Sequence, residues 1–96
     1  MKVYISGKIT GLQIEEVNEN FSKAASYIRS IGHIPISPLD ITPPNADMDW
    51  KEFMIKDISG LLDCDAIYML KNWGQSKGAR IEYQIAKEMD LKIIFE

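Results

Sequence analysis

A parallel α/β fold is predicted for this chain, and three observations predict it. Strand-like apolar runs alternate with stretches that repeat apolar residues at helical spacing, in the order β-α-β-α-β-α-β. The run Ala66 to Leu70 is apolar throughout, as a central strand covered on both faces requires. With 46% apolar residues in 96, the chain makes one globular domain, residues 1–96, with a core of its own. The crossovers of such an alternation are right-handed, so helices cover both faces of a four-stranded parallel sheet.

The elements follow in order. Lys2-Val3-Tyr4-Ile5-Ser6 is a buried strand, ended by Gly7. After the loop Gly7–Gly11, Val17, Phe21, Ala24, Ala25, Ile28 and Ile31 recur at helical spacing, and Gly32 stops that helix. His33 to Ser37 is a second strand, short or at an edge because of Pro35 and Pro38. The stretch 38–46 is a turn-rich loop whose Pro43-Pro44-Asn45 suits a lid. Asp47 is a candidate cap for a helix carrying Trp50, Phe53, Met54, Ile58, Leu61 and Leu62. After the third strand, a helix from Ser76 to about Asp90 leads to a last strand, Lys92 to Phe95.

Composition narrows the function. The net charge of −3 and the lack of any Lys/Arg run offer no footprint for a nucleic-acid polymer. The apolar runs are too short to cross a membrane, and Met1 leads straight into a strand, so neither a membrane partner nor a signal peptide is expected. A single cysteine excludes an internal disulfide, which fits a cytoplasmic protein. One His and one Cys cannot build a structural zinc site, and no metal or cofactor is expected.

Ligands of parallel sheets bind beyond the carboxyl ends of the strands, where strand order reverses. Three segments converge there: the Gly7–Gly11 loop, the 38–46 loop, and Lys71–Gly78 running into Glu82. His33 and Cys64 fall at the other end. Glu82 shares a helix face with Ala79, Ala86 and Met89, so it points inward, back toward the helix start, with room around it. Asp57 stands four residues from both Phe53 and Leu61. On that apolar side it is a boundary residue or a functional carboxyl of perturbed proton affinity. Tyr4 is either plain core or a hydroxyl aimed at a partner. Gly7, Lys8 and Ile9 form a loop that lets a ligand approach bare backbone, or simply a tight turn; the pattern is not that of a P-loop. Ser76-x-Gly78 at a helix start is an anion site or an ordinary cap. Asn72 and Trp73 precede it, the Trp covering a flat ligand or roofing the core. Asp63 and Asp65 read as solvated turn residues. Two carboxyls and a Tyr beside an anion-binding turn suggest chemistry at a sugar carbon, one carboxylate attacking and the other handling the leaving group.

Val3-Tyr4-Ile5-Ser6-Gly7-Lys8-Ile9-Thr10-Gly11, Asp57 ahead of Leu61 to Ile67, and Ser76-x-Gly78-Ala79-x-x-Glu82 together resemble the nucleoside 2-deoxyribosyltransferase superfamily over nearly the whole chain. The resemblance is nearest to a branch of small phage and bacterial proteins, and extends to deoxynucleoside 5′-monophosphate N-glycosidases. It implies a flavodoxin-like (Rossmann-like) three-layer sandwich, a homodimer or higher homo-oligomer, and cleavage of the N-glycosidic bond of a 2′-deoxynucleoside or its 5′-monophosphate. Glu82 is then the nucleophile at C1′, Tyr4 orients it, and Asp57 is the acid or the hydrogen-bonding partner of the departing base. The sugar passes to another base or to water. Transferases acting on unphosphorylated nucleosides carry an Asp six residues before the nucleophile; this chain has Ser76, which suits a phosphate held with Gly78, with Lys8 or Arg80 adding positive charge. In the first motif, Lys8-Ile9 replaces a commoner Pro-Met or Ser-Ile pair. Two other readings use the same residues. One is a nucleotide-binding or sensor module without turnover, which needs Ser76 and Gly78 but not Glu82. The other is an interaction protein on the same scaffold.

Overall fold

The computed structural model describes residues 1–43 and 46–96. Four strands, β1 (Lys2–Ser6), β2 (Ile34–Ile36), β3 (Ala66–Met69) and β4 (Lys92–Phe95), form one sheet in the order β2-β1-β3-β4. Every pairing is parallel, with Tyr4 opposite Ile36 on one side and Ile67 on the other. Proline-bearing β2 is an edge strand and apolar β3 is central, as the sequence predicts. The chain leaves β1 toward β2 and then crosses back to β3, so strand order reverses at the carboxyl ends of β1 and β3.

Alternation along β1 divides the core in two. Val3 and Ile5 pack against α1 (Ile14–Ser30) through Val17, Phe21, Ala24 and Ile28. Tyr4 faces the other way, into a cluster with Leu61 of α3 (Trp50–Leu62), Ile67 and Met69 of β3, and Ala79 and Ala86 of α4 (Lys77–Glu88). Helices therefore cover both faces. No described helix is long and apolar enough to cross a membrane.

Several local expectations are corrected. The stretch after β2 opens with a helical turn, α2 (Pro38–Ile41), because Ser37 accepts from the Leu39 amide and Pro38 supplies a preset first-turn φ. Pro44 and Asn45 of the expected lid lie outside the described residues. Asp49, not Asp47, caps α3, its carboxylate accepting from the Glu52 amide at 2.9 Å. A cap must directly precede the first helical residue, and Asp49-x-x-Glu52 has the capping-box spacing. Met89 is exposed at the end of α4, outside the inward face of Ala79, Glu82 and Ala86. Trp50 and Leu62, at the two ends of α3, are also largely exposed, so the buried stripe of that helix is narrower than its run of apolar residues. Asp63 and Asp65 are exposed but engaged: Asp63 pairs with the Lys2 ammonium at 3.0 Å and Asp65 accepts from the Lys2 amide.

Candidate active site

At the switch point, a cleft of about 160 Å³ opens between the β1 loop, α2, α3 and the start of α4. Glu82 forms its inner wall and is only 5% exposed. Its position follows from α4: Ala79 and Ala86, one turn to either side, are small enough to let the helix lie close to β1 and β3. From the sheet, the Tyr4 hydroxyl donates to Glu82 Oε2 at 2.9 Å, and the Ser6 hydroxyl donates to Oε1 at 2.7 Å. Tyr4 and Ser6 are two apart on one strand and so face the same helix.

Burial pushes the Glu82 carboxyl up to about 7; the Ser6 and Tyr4 bonds pull against that rise and the nearby Asp57 charge adds to it. Burial also pushes Asp57 up to about 6. Tyr4 is raised well above the usual phenol range by burial and by the Glu82 and Asp57 charges, so it remains a hydroxyl donor. Asp57 lines the cleft from α3, half-buried, and among the described residues its Oδ1 has no hydrogen-bond partner. Thr42, at the end of α2, places a buried Oγ1 in the same wall, also without a partner among the described residues. Two carboxyls with lifted proton affinity, one pinned by donors and one free, can divide the roles of nucleophile and proton carrier.

The outer rim is built for close approach. A Cβ on Gly7 would lie 2.5–2.8 Å from the Leu70 side chain, so only glycine lets the chain turn out of β1 here. A Cβ on Gly78 would come within 3.1 Å of Met54 Sδ, so glycine also lets α4 begin tight against α3. Ser76 caps α4, its Oγ accepting from the Ala79 amide at 3.1 Å, and both Ser76 and Gly78 line the cleft. The hydroxyl hydrogen of Ser76 stays free to donate, as do the first amides of the helix.

Glu82, Asp57, Tyr4, Gly7, Ile9, Ser76 and Gly78 thus share one cleft. Lys8, Asn72 and Trp73 are not part of its wall. The Asn72 carboxamide accepts from the Lys8 amide at 3.0 Å and ties the two loops together. Trp73 turns outward onto Tyr83 and Phe95, ring centroids 4.7 and 6.2 Å away, and roofs the core. Arg80 donates to the Gly74 carbonyl at 2.8 Å. Lys77 stacks 5.0 Å over the ring of Trp50, which lines the cleft. Sequence reasoning passed over Ser6, Thr42, Trp50, Phe53 and Met54. The two-residue step from Tyr4 was a signal for Ser6; nothing local marks Thr42, which reaches the wall only through the packing of α2 on α3.

The profile of the family described as "Domain of unknown function (DUF4406)" matches residues 1–95, and the chain belongs to that family. No curated protein matches it in sequence. Three solved structures share its fold. A 2-deoxyribosyltransferase of Bacillus psychrosaccharolyticus superposes with a TM-score of 0.74 at 17% identity, over 99% of this chain and 71% of that one. A 2-deoxyribosyltransferase of Leishmania mexicana gives 0.73 at 16% identity, over 98% of this chain and 62% of that one. The CMP N-glycosidase BcmB of Clostridium botulinum gives 0.68 at 18% identity, over 99% and 70%. The flavodoxin-like architecture expected from the sequence is the fold these enzymes share with this chain.

Proposed function

We propose that this DUF4406 protein is an enzyme that cleaves the N-glycosidic bond of a 2′-deoxynucleoside 5′-monophosphate, passing the sugar to water or to another base. The observation that carries this reading is the buried Glu82 carboxylate, held on both oxygens by Tyr4 and Ser6 and sharing one cleft with Asp57, whose Oδ1 has no partner among the described residues. In the first step a Glu82 oxygen forms a bond to C1′ as the C1′–N bond breaks. The departing base keeps that electron pair and takes a proton from Asp57. In the second step, water or a new base attacks C1′. The C1′–Glu82 bond breaks, its electron pair returns to the carboxylate, and Asp57 accepts the incoming group's proton.

The competent state needs Glu82 ionised and Asp57 protonated. With Glu82 at about 7 and Asp57 at about 6, that state is a minority form, most populated between those two values. Three features support a monophosphate. The Ser76 hydroxyl hydrogen has no acceptor among the described residues, α4 presents its N-terminal amides beside Gly78, and Lys77 stands between Ser76 and Gly78 in the chain. One of the enzymes with this fold is a CMP N-glycosidase by its description. A homodimer or higher oligomer belongs to the same reading, since Ile34, Ile55 and Leu62 leave apolar area exposed.

Incubating the protein with each deoxynucleoside and each 5′-monophosphate, and separating products by chromatography, tests the proposal. Free base is expected, with the rate rising to a maximum between pH of about 6 and about 7. In Glu82→Ala the rate falls by at least about a thousandfold. No base released or exchanged from any of these compounds would sink it.

A further inference from the structure

Among the described residues Ser6 is buried, does not line the cleft, and has one side-chain hydrogen bond, to Glu82 Oε1. Tyr4 does line the cleft and bonds the other oxygen, Oε2. The two carboxylate oxygens are therefore held separately, Oε2 by a residue of the cleft wall and Oε1 by a buried one outside it. Among the described residues the one ion pair is Lys2–Asp63, so no cation shares the Glu82 charge. The titratable groups acting on Glu82 are Tyr4 from β1 and Asp57 from α3; β3 adds only apolar Ile67 and Met69 on this face.

We infer that Ser6 is a positioning residue for Glu82: its hydroxyl anchors Oε1, favours the ionised carboxylate in a cation-free site, and leaves Oε2 to meet C1′. The catalytic half of this inference rests on the glycosidic reading above; the half that concerns the free carboxylate does not. When Oε2 bonds C1′, Oε1 becomes the ester carbonyl oxygen and still accepts from Ser6. When the C1′–Oε2 bond breaks, the returning electron pair spreads onto Oε1, where the same hydrogen bond receives it. Ser6 thus favours Glu82 as a leaving group, and its absence slows the second step more than the first.

The test has two arms. In the substrate-free protein, carbon NMR of the Glu82 carboxyl follows its titration. Ser6→Ala raises the midpoint by about one pH unit, because a donor to the charged form is lost. Ser6→Thr, which keeps the hydroxyl, restores it. If Ser6→Ala does not fold, Ser6→Cys, a near-isosteric weak donor, shifts the midpoint the same way. An unchanged midpoint in the folded variant overturns the inference, whether or not the protein turns over any substrate. With a substrate that releases base, Ser6→Ala lowers kcat about tenfold with little change in substrate binding. The sugar adduct on Glu82 then accumulates, visible as added mass on the intact protein. A loss confined to KM, or a slowed first step with no adduct, overturns the catalytic half and leaves the titration to decide the rest.

Discussion

The two faces of the sheet are built from the same strand and do opposite things. Val3 and Ile5 of β1 meet the apolar side of α1 and contribute burial alone. Tyr4 and Ser6, the residues between and after them, meet α4 and hold a carboxylate. Among the described residues the buried polar side chains are Ser6, Ser37, Thr42 and Glu82; of these Thr42 and Glu82 line the cleft and Ser6 bonds Glu82. A period of two lets one five-residue strand carry stability on one side and chemistry on the other, so each can be altered separately.

The largest effect expected on the stabilising face is that of Phe21→Ala. Phe21 is buried against the strand, and its loss costs about 3–5 kcal/mol in urea or thermal unfolding. Activity per folded molecule stays near wild type. A large activity loss in molecules that remain folded would show that the faces are coupled.

The functional face predicts the reverse, a gain in stability from removing a charge. A carboxyl raised from 4.5 to about 7 makes its contribution fully below pH 4.5 and loses it as the pH climbs to about 7. At roughly 1.4 kcal/mol per pH unit, the loss is about 3 kcal/mol. Glu82→Gln carries no charge to desolvate, so its stability is flatter between pH 5 and 7 and exceeds wild type at pH 8. Melting curves across that range check it; a variant less stable than wild type at pH 8 would contradict the burial argument. Tyr4→Phe keeps the ring in its core position and removes one donor to the carboxylate. It should slow base release about ten- to a hundredfold, with a small change in melting temperature. The smallest effect is at the rim. Ser76→Asp still caps α4 but brings a negative charge to the anion side, so kcat/KM for monophosphates falls roughly tenfold relative to nucleosides. Unchanged preference would place the phosphate elsewhere.

Legibility in the sequence followed the range of the interaction. Strands, helices and the inward face of α4 rest on spacing within a few residues, and each reads directly from the residue order. Glu82 could be placed inward because Ala79 and Ala86 bracket it, and Asp57 because Phe53 and Leu61 do. The cap of α3 falls two residues beyond the Asp47 expected, although Asp49 and Glu52 carry the correct spacing. Trp73 and Asn72 are adjacent to the Ser76 turn in sequence, yet the 3₁₀ turn Trp73–Gln75 sends the indole toward Tyr83 and Phe95. Proximity along the chain is no guide to direction across such a turn.

What the sequence by itself determined was the order of elements, the parallel sheet and which end of it would carry polar groups, because periodicity and turn residues act locally. Only the tertiary structure decided that Ser6 shares Glu82 with Tyr4, that Asp57 Oδ1 and Thr42 Oγ1 have no partner among the described residues, and that Lys77 stacks on Trp50 of the cleft wall. Those facts depend on how residues as far apart as Ser6 and Glu82 meet once strand order, crossover and helix packing are set, and no local pattern encodes that meeting.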